Sequence, residues 1–378
     1  MSALGDVAVE DKVDFHCLLL RLAGRVSDGL VAQARGWLAE DRIDKAVRAV
    51  AFAATAQRVP LLPDDVALLR ELLEDHGADS SALSGAEIAE FDSVPPFGFG
   101  AGPPDAPTPA RPNDAPLDDV DTTAVAAVAE EPGLRGLWRA WRFPVDGSPW
   151  PGPRKVYLVE AGEDVDLVAL TGRIQQRLTK AGETDPQVET FPVNAELPSY
   201  HRLAVAYGAL LWASTPEPDI KIAAIFDEVD SQAGPLFTDA HERMDDAEEA
   251  QRVIDYLNAG QPLLVTTAAM DDVVDRSRHN VVPMNFRTDG TWIWTDTTTY
   301  YLERHNLAPD PDLLGHIRAA DYRMPELDGV AIHRTMAVLQ EPPEDEPVWT
   351  YDGSSAGRAA AVAGDDDQDD EAEDEAGD

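Results

Sequence analysis

Asp227 and Glu228 close the stretch IAAIFDE at 222–228, five apolar residues running into two carboxylates. An acid at the end of a buried strand is how nucleotide hydrolases place a carboxylate beside magnesium. That chemistry also needs a phosphate cradle of the form G-x-x-x-x-G-K-[ST], whose backbone N–H groups and lysine hold the phosphates. No such loop occurs in the chain. Without it, Asp227 and Glu228 remain candidates for acid–base work, with Asp289 of the Asp-Gly pair 289–290 as a third carboxylate if the fold brings them into one cleft. The plainer reading is that a chain leaving the core turns polar there, and on that reading no metal site is expected.

The eight histidines fall in no HExxH pattern, and no Cys/His spacing suggests zinc. Ser199, Tyr200 and His201 are adjacent, but no G-x-S-x-G elbow accompanies them, and Ser199 suits a helix start. His241 and Glu242 read as the start of an acid-rich helix. The glycines at 98, 100 and 102 lack dinucleotide-binding spacing and lie among prolines. Asp271, Asp272 and Asp275 lack the glycine and closing glutamate of a calcium loop. These patterns imply no cofactor and no metal.

A different chemistry is offered by residues 134–155 (LRGLWRAWRFPVDGSPWPGPRK), basic and aromatic in an otherwise acidic chain. Tryptophan and arginine anchor interfaces, and arginine stacks on aromatic faces. Arg135, Trp138, Arg139, Trp141 and Arg142 are therefore the candidate binding residues. The competing reading is that the tryptophans dock as the first element of a domain and the arginines pair with acids.

Charge limits the partners. With 71 acidic and 30 basic residues the formal net charge is -41. Ten of the carboxylates crowd residues 364–378. Such a field repels phosphates, so nucleic acid is a poor partner. One use of the tail would be to fold back on Arg135, Arg139 and Arg142. The longest apolar run, 203–213, is far short of the roughly 20 residues a spanning helix needs. The N-terminus carries Asp6, Glu10 and Asp11 and no positive n-region, unlike a secretory signal. The single cysteine, Cys17, lies in FHCLLL and reads as a small buried hydrophobe. Five lysines against 25 arginines suit a GC-rich bacterial genome or, second, a salt-adapted one.

The elements that must hold these residues divide the chain into parts. Residues 1–14 read as a disordered N-terminus. Apolar residues at helical spacing over 15–91 predict a small helical bundle. The proline density of 92–133 predicts a flexible linker. Residues 134–340 alternate strands (155–159, 188–193, 220–226, 263–266) with helices (165–181, 203–212, 240–258, 297–306, 312–319). A hairpin turns at 287–290, and 330–339 reads as a closing strand. Trp292, Trp294, Tyr300 and Tyr301 read as core. This is an α/β domain with a mixed sheet, followed over 341–378 by a disordered acidic tail. The fold class is thus α plus α/β, multidomain. The leading functional expectation is a non-enzymatic cytoplasmic protein that binds an unknown protein partner, not nucleic acid or a membrane. The rival is an enzyme with Asp227, Glu228 and Asp289 in a cleft of the α/β domain.

Overall fold

The computed structural model describes residues 3–92, 96–106, 112–145, 152–230 and 234–341. The acidic tail beyond Glu341, Trp150 and parts of the proline-rich interval lie outside the described residues.

Four helices open the chain: α1 (Ala3–Leu22), α2 (Asp28–Ala39), α3 (Ile43–Ala56) and α4 (Pro63–Asp75). Their apolar stripes, among them Phe15, Leu18, Leu38, Val47, Val50 and Leu69, share one core. Pro63 stands at the first turn of α4, where its missing N–H costs nothing. The helix α1 begins well before residue 15, so most of the stretch expected to be disordered is helical.

The interval expected to be a linker instead supplies β1 (Phe97–Gly100) and α5 (Asp119–Ala129). Large apolar groups are few there, but α5 needs none. Its Ala124, Ala127 and Val128 let the helix lie close on a sheet, and Asp118 and Asp121 form a capping box at its start.

The first sheet contains β1, β2 (Leu134–Pro144), β3 (Arg154–Ala161) and β4 (Gln187–Pro192) in that order, with β5 (Ala209–Ala213) also paired to β2. The β3–β4 pair is parallel, joined through α6 (Leu167–Lys180), and the other pairs are antiparallel. The sheet is mixed. Alternation sorts its residues by face. Leu137, Tyr157, Val159 and Val188 meet α5 and α6. Trp138, Ala140, Val156 and Leu158 meet Leu20 of α1 and Ala23 just after it, Tyr200 and Ala204 of α7 (Ser199–Tyr207), and Val330. The helix expected over 203–212 breaks at Gly208. A Cβ there would lie 2.6 Å from the Ala204 carbonyl and 2.9 Å from that of Arg139, and the chain turns into β5.

Beyond β5 lies a second, smaller sheet. It is built from β6 (Lys221–Ile222), β9 (Gln261–Leu264), β12 (Phe286–Thr288) and β13 (Trp292–Thr295), in the order β6-β13-β12-β9. Two short hairpins flank it, β7 (Glu228–Asp230) with β8 (Gly234–Leu236) and β10 (Ala269–Met270) with β11 (Val282–Pro283). The β12–β13 turn falls at the Asp-Gly pair, with Gly290 at φ 89°. Trp292 and Trp294, two apart on one strand, face α8 (Ala247–Ala259) and α10 (Pro311–Ala319), with Leu302 of α9 (Asp296–His305) in the same core. Tyr301 is also buried. The segment 220–226 is not a core strand: β6 is two residues at the sheet edge, and Ile222 is exposed. His241 and Glu242 precede α8, whose N-cap is Asp246. The expected closing strand is α11 (Gly329–Gln340), capped by Asp328, with Val330, His333 and Arg334 buried at helical spacing. It lies against β2 and β5 and reaches β9.

Candidate functional site

The proposed carboxylates do not act together. Asp227 Oδ2 accepts from the Thr238 N–H at 2.7 Å and its hydroxyl at 3.0 Å, and Oδ1 meets His241 Nδ1 at 2.9 Å. Burial pushes the Asp227 carboxyl up, but these bonds outweigh it and hold it below the usual range. Glu228 begins an exposed two-strand hairpin. Asp289 is buried elsewhere. Its Oδ1 accepts from the N–H groups of Trp292 (2.7 Å) and Thr291 (2.9 Å), and Oδ2 from Tyr256 (2.6 Å), with His316 Nε2 at 2.7 Å. That set of bonds locks the Asp-Gly turn onto α8 and α10. Among the described residues no three His, Cys, Asp or Glu side chains are grouped to hold a metal.

The basic, aromatic stretch is mostly interior. It forms β2 and the start of β3, and both faces of that sheet are covered. Trp138 is fully buried. Arg139 is buried against Asp121, with the carbonyls of Ala101 (2.7 Å) and Pro116 (3.0 Å). Arg142 is buried in a two-pronged pair with Asp28, at 2.8 and 2.7 Å, over the ring of Phe97. Trp141 is half-buried beneath Lys155, and Arg135 is exposed. The expected binding surface is corrected accordingly. Arg139 and Arg142 are spent on acids of α5 and α2, so neither is a landing point for the tail. Nothing in the local sequence tells that Asp28 and Asp121 will arrive to meet them.

Two features went unnoticed in the sequence. The first is a buried polar cluster between bundle and sheet. Arg35 of α2 pairs with both oxygens of Glu189 on β4, and His201 Nε2 lies 3.0 Å from Glu189 Oε2. His16 Nε2 bonds the Thr190 carbonyl at 2.9 Å. Burial alone would raise Glu189, but the Arg35 charge and the His201 and Arg35 hydrogen bonds bring it down to about 2. Burial lowers His16 to about 4.

The second is a cleft of about 560 Å³ between α7, α11 and the first sheet. Phe191, Leu197, Val205, Leu327, Ile332 and Met336 form apolar walls. Trp138 forms part of its lining, edge-on to His333, and its buried Nε1–H has no hydrogen-bond partner among the described residues. Glu160, at the end of β3, accepts from the Gly329 N–H through both oxygens, at 2.9 and 3.0 Å. Burial pushes its carboxyl up to about 7 against the pull of that bond, Asp328 adding to the rise and Arg135 opposing it. A concave, apolar site with a few polar groups and a perturbed carboxyl is the form small-molecule sites take. The sequence signal was present in YLVEAG at 157–162, a lone acid inside an otherwise apolar strand. A second hollow of about 660 Å³ adjoins residues 24–29, but there Asp28 takes up both Arg142 and Arg154.

No helix among the described residues is long and apolar enough to cross a membrane. No protein-family model matches the chain, and neither a curated protein nor a solved structure matches it.

Proposed function

We propose that this chain is a non-enzymatic, cytoplasmic interaction protein whose partner docks as an extended segment on the edge of β9 that no strand among the described residues pairs. The observation that carries this reading is the exposed apolar edge itself. β9 ends the order β6-β13-β12-β9, and Leu264 and Val265 stand there 48% and 73% exposed. Val281 and Met284, on either side of β11, are also exposed. Proteins ordinarily blunt such edges with charge, proline or a covering segment. Here Pro262 is the one proline in β9, and no charged residue lies between Gln261 and Ala269. An open edge offers backbone donors and acceptors to an added strand, and its side chains set the specificity. The charge of -41 supports a protein partner over nucleic acid. The rival, an enzyme using Asp227, Glu228 and Asp289, has less support, because Asp227 and Asp289 are committed to separate internal bonds and Glu228 sits on an exposed hairpin.

The test is capture of binding proteins from host extract by three forms of the chain: wild type, Val265→Lys, and Phe52→Lys as an exposed control on α3. The expected result is a partner retained by wild type and Phe52→Lys and lost with Val265→Lys. Equal capture by all three forms, or none by wild type, would overturn the reading.

A further inference from the structure

We propose that the cleft between α7 and α11 binds a small apolar amine, its body against Trp138, Phe191, Leu327 and Met336 and its ammonium group on the Glu160 carboxylate. The inference does not rest on the exposed Leu264 and Val265 of the β9 edge, although Gln261 of β9 also lines the cleft.

Three observations support it. The cleft is about 560 Å³, within the roughly 300–1,000 Å³ of small-molecule sites. Glu160 is its acceptor. Both oxygens already share one N–H from Gly329, which leaves lone pairs on a buried carboxylate without a donor among the described residues. The helix start alone is too little to offset burial, which is why the group is raised. An ammonium ion would supply the missing counter-charge and several strong, charge-assisted bonds. The third observation is Trp138. Its buried indole N–H is a donor without a partner among the described residues, and an unpaired buried donor carries its full desolvation penalty. A ligand whose body carries an ether, hydroxyl or carbonyl oxygen would satisfy it. The amine and the oxygen acceptor together define the ligand class.

The other charged groups at the site are consistent with a cation. Asp328 lies beside Glu160 and adds negative charge, and Arg135 opposes it. Arg202 also lines the cleft, but its guanidinium is held by the Leu197 carbonyl at 2.7 Å and the Ser199 hydroxyl at 2.8 Å. His333 is lowered to about 4 by burial and carries no charge at neutral pH. An ammonium ion stabilises the Glu160 carboxylate, so binding releases the proton that Glu160 holds in part of the population near pH 7. Affinity for the amine must therefore fall as pH drops below that value.

Nitrogen-15 labelling of the tryptophans allows a direct test. The Trp138 indole signal is assigned from its absence in Trp138→Phe, and the full chain is titrated with 4-methoxyphenethylamine. The corresponding alcohol and carboxylic acid serve as neutral and anionic counterparts. The amine is expected to shift the Trp138 signal saturably and to bind at least about tenfold more tightly than either counterpart, a difference of about 1.4 kcal/mol, because charge-assisted hydrogen bonds are the stronger ones. Its affinity should fall between about pH 8 and about pH 6. Glu160→Gln should remove the preference for the amine while leaving the alcohol unchanged. Equal binding of amine and alcohol, tighter binding of the acid, or an unmoved Trp138 signal would each overturn the proposal. So would an amine preference that survives Glu160→Gln. If Glu160→Gln does not fold, Met336→Trp, which fills the cleft from α11, must abolish amine binding, and retained binding would overturn the proposal equally.

Discussion

Arg35 of α2 and Glu189 of β4, 154 residues apart, form a two-pronged ion pair with side chains 1% and 0% exposed. The pair joins the helical bundle to the first sheet at a place water does not reach. Around it, Val168 of α6 enters the bundle core. Gly172 lets α2 and α6 approach closely, since a Cβ there would sit 2.4 Å from that of Ala39. Bundle and sheet are thus packed on one another, not merely tethered.

Breaking this pair from one side should be severe. Arg35→Met leaves Glu189 charged and buried, a loss of roughly 3–5 kcal/mol. The double variant Arg35→Met, Glu189→Met should recover most of that. Urea unfolding followed by circular dichroism would measure both. Wild type should unfold in one transition. Two separated transitions, or a double variant as unstable as the single, would show that the bundle does not depend on the sheet.

Stability should depend on pH with opposing terms. Glu189 is held at about 2, below its ordinary 4.5, so its contribution is complete above 4.5 and is lost as pH falls toward 2. His16 is held at about 4, below 6.5. The unfolded chain takes up a proton that the buried ring refuses, so stability drains away as pH falls from 6.5 to 4. Glu160 has the opposite sign. Raised from 4.5 to about 7, it costs stability above pH 7, and that cost is relieved as pH falls toward 4.5. Glu160→Gln, which can still accept from Gly329, should therefore raise the urea midpoint near about pH 8 and make the fall on acidification steeper. Parallel pH profiles for wild type and variant would contradict this.

Asp289 and Asp227 should separate clearly in stability. Asp289, with a fully buried side chain, satisfies two backbone N–H groups and the Tyr256 hydroxyl. Asp289→Ala strands those donors, each at roughly 1–3 kcal/mol. Asp227 is 30% exposed and bonds a surface turn, so Asp227→Ala should cost about 1 kcal/mol. Thermal melts of the two variants would decide, and equal losses would refute the structural role assigned to Asp289.

Several elements were legible in the residues alone. The helical spacing of Val47, Val50 and Ala54, the amphipathic stretch that became α6, and the Asp-Gly turn at 289–290 each specify local structure by local means. Periodicity, a cap or a backbone dihedral needs no distant partner. The sequence also determined the bundle followed by a mixed sheet, because strand-length apolar runs alternate with helical ones. What it left open was the company each residue keeps. Trp138, Arg139 and Arg142 look like a surface by composition, and only tertiary packing brings Asp121 and Asp28 over them and closes both faces of β2. The small residues of α5 look too weakly apolar to order a chain, and only contact with the sheet makes their size an advantage. The raised carboxyl of Glu160 likewise arises from burial beneath the first turn of α11, 169 residues further along the chain. Desolvation and charge pairing act through space, so ordering along the chain carries almost no record of them.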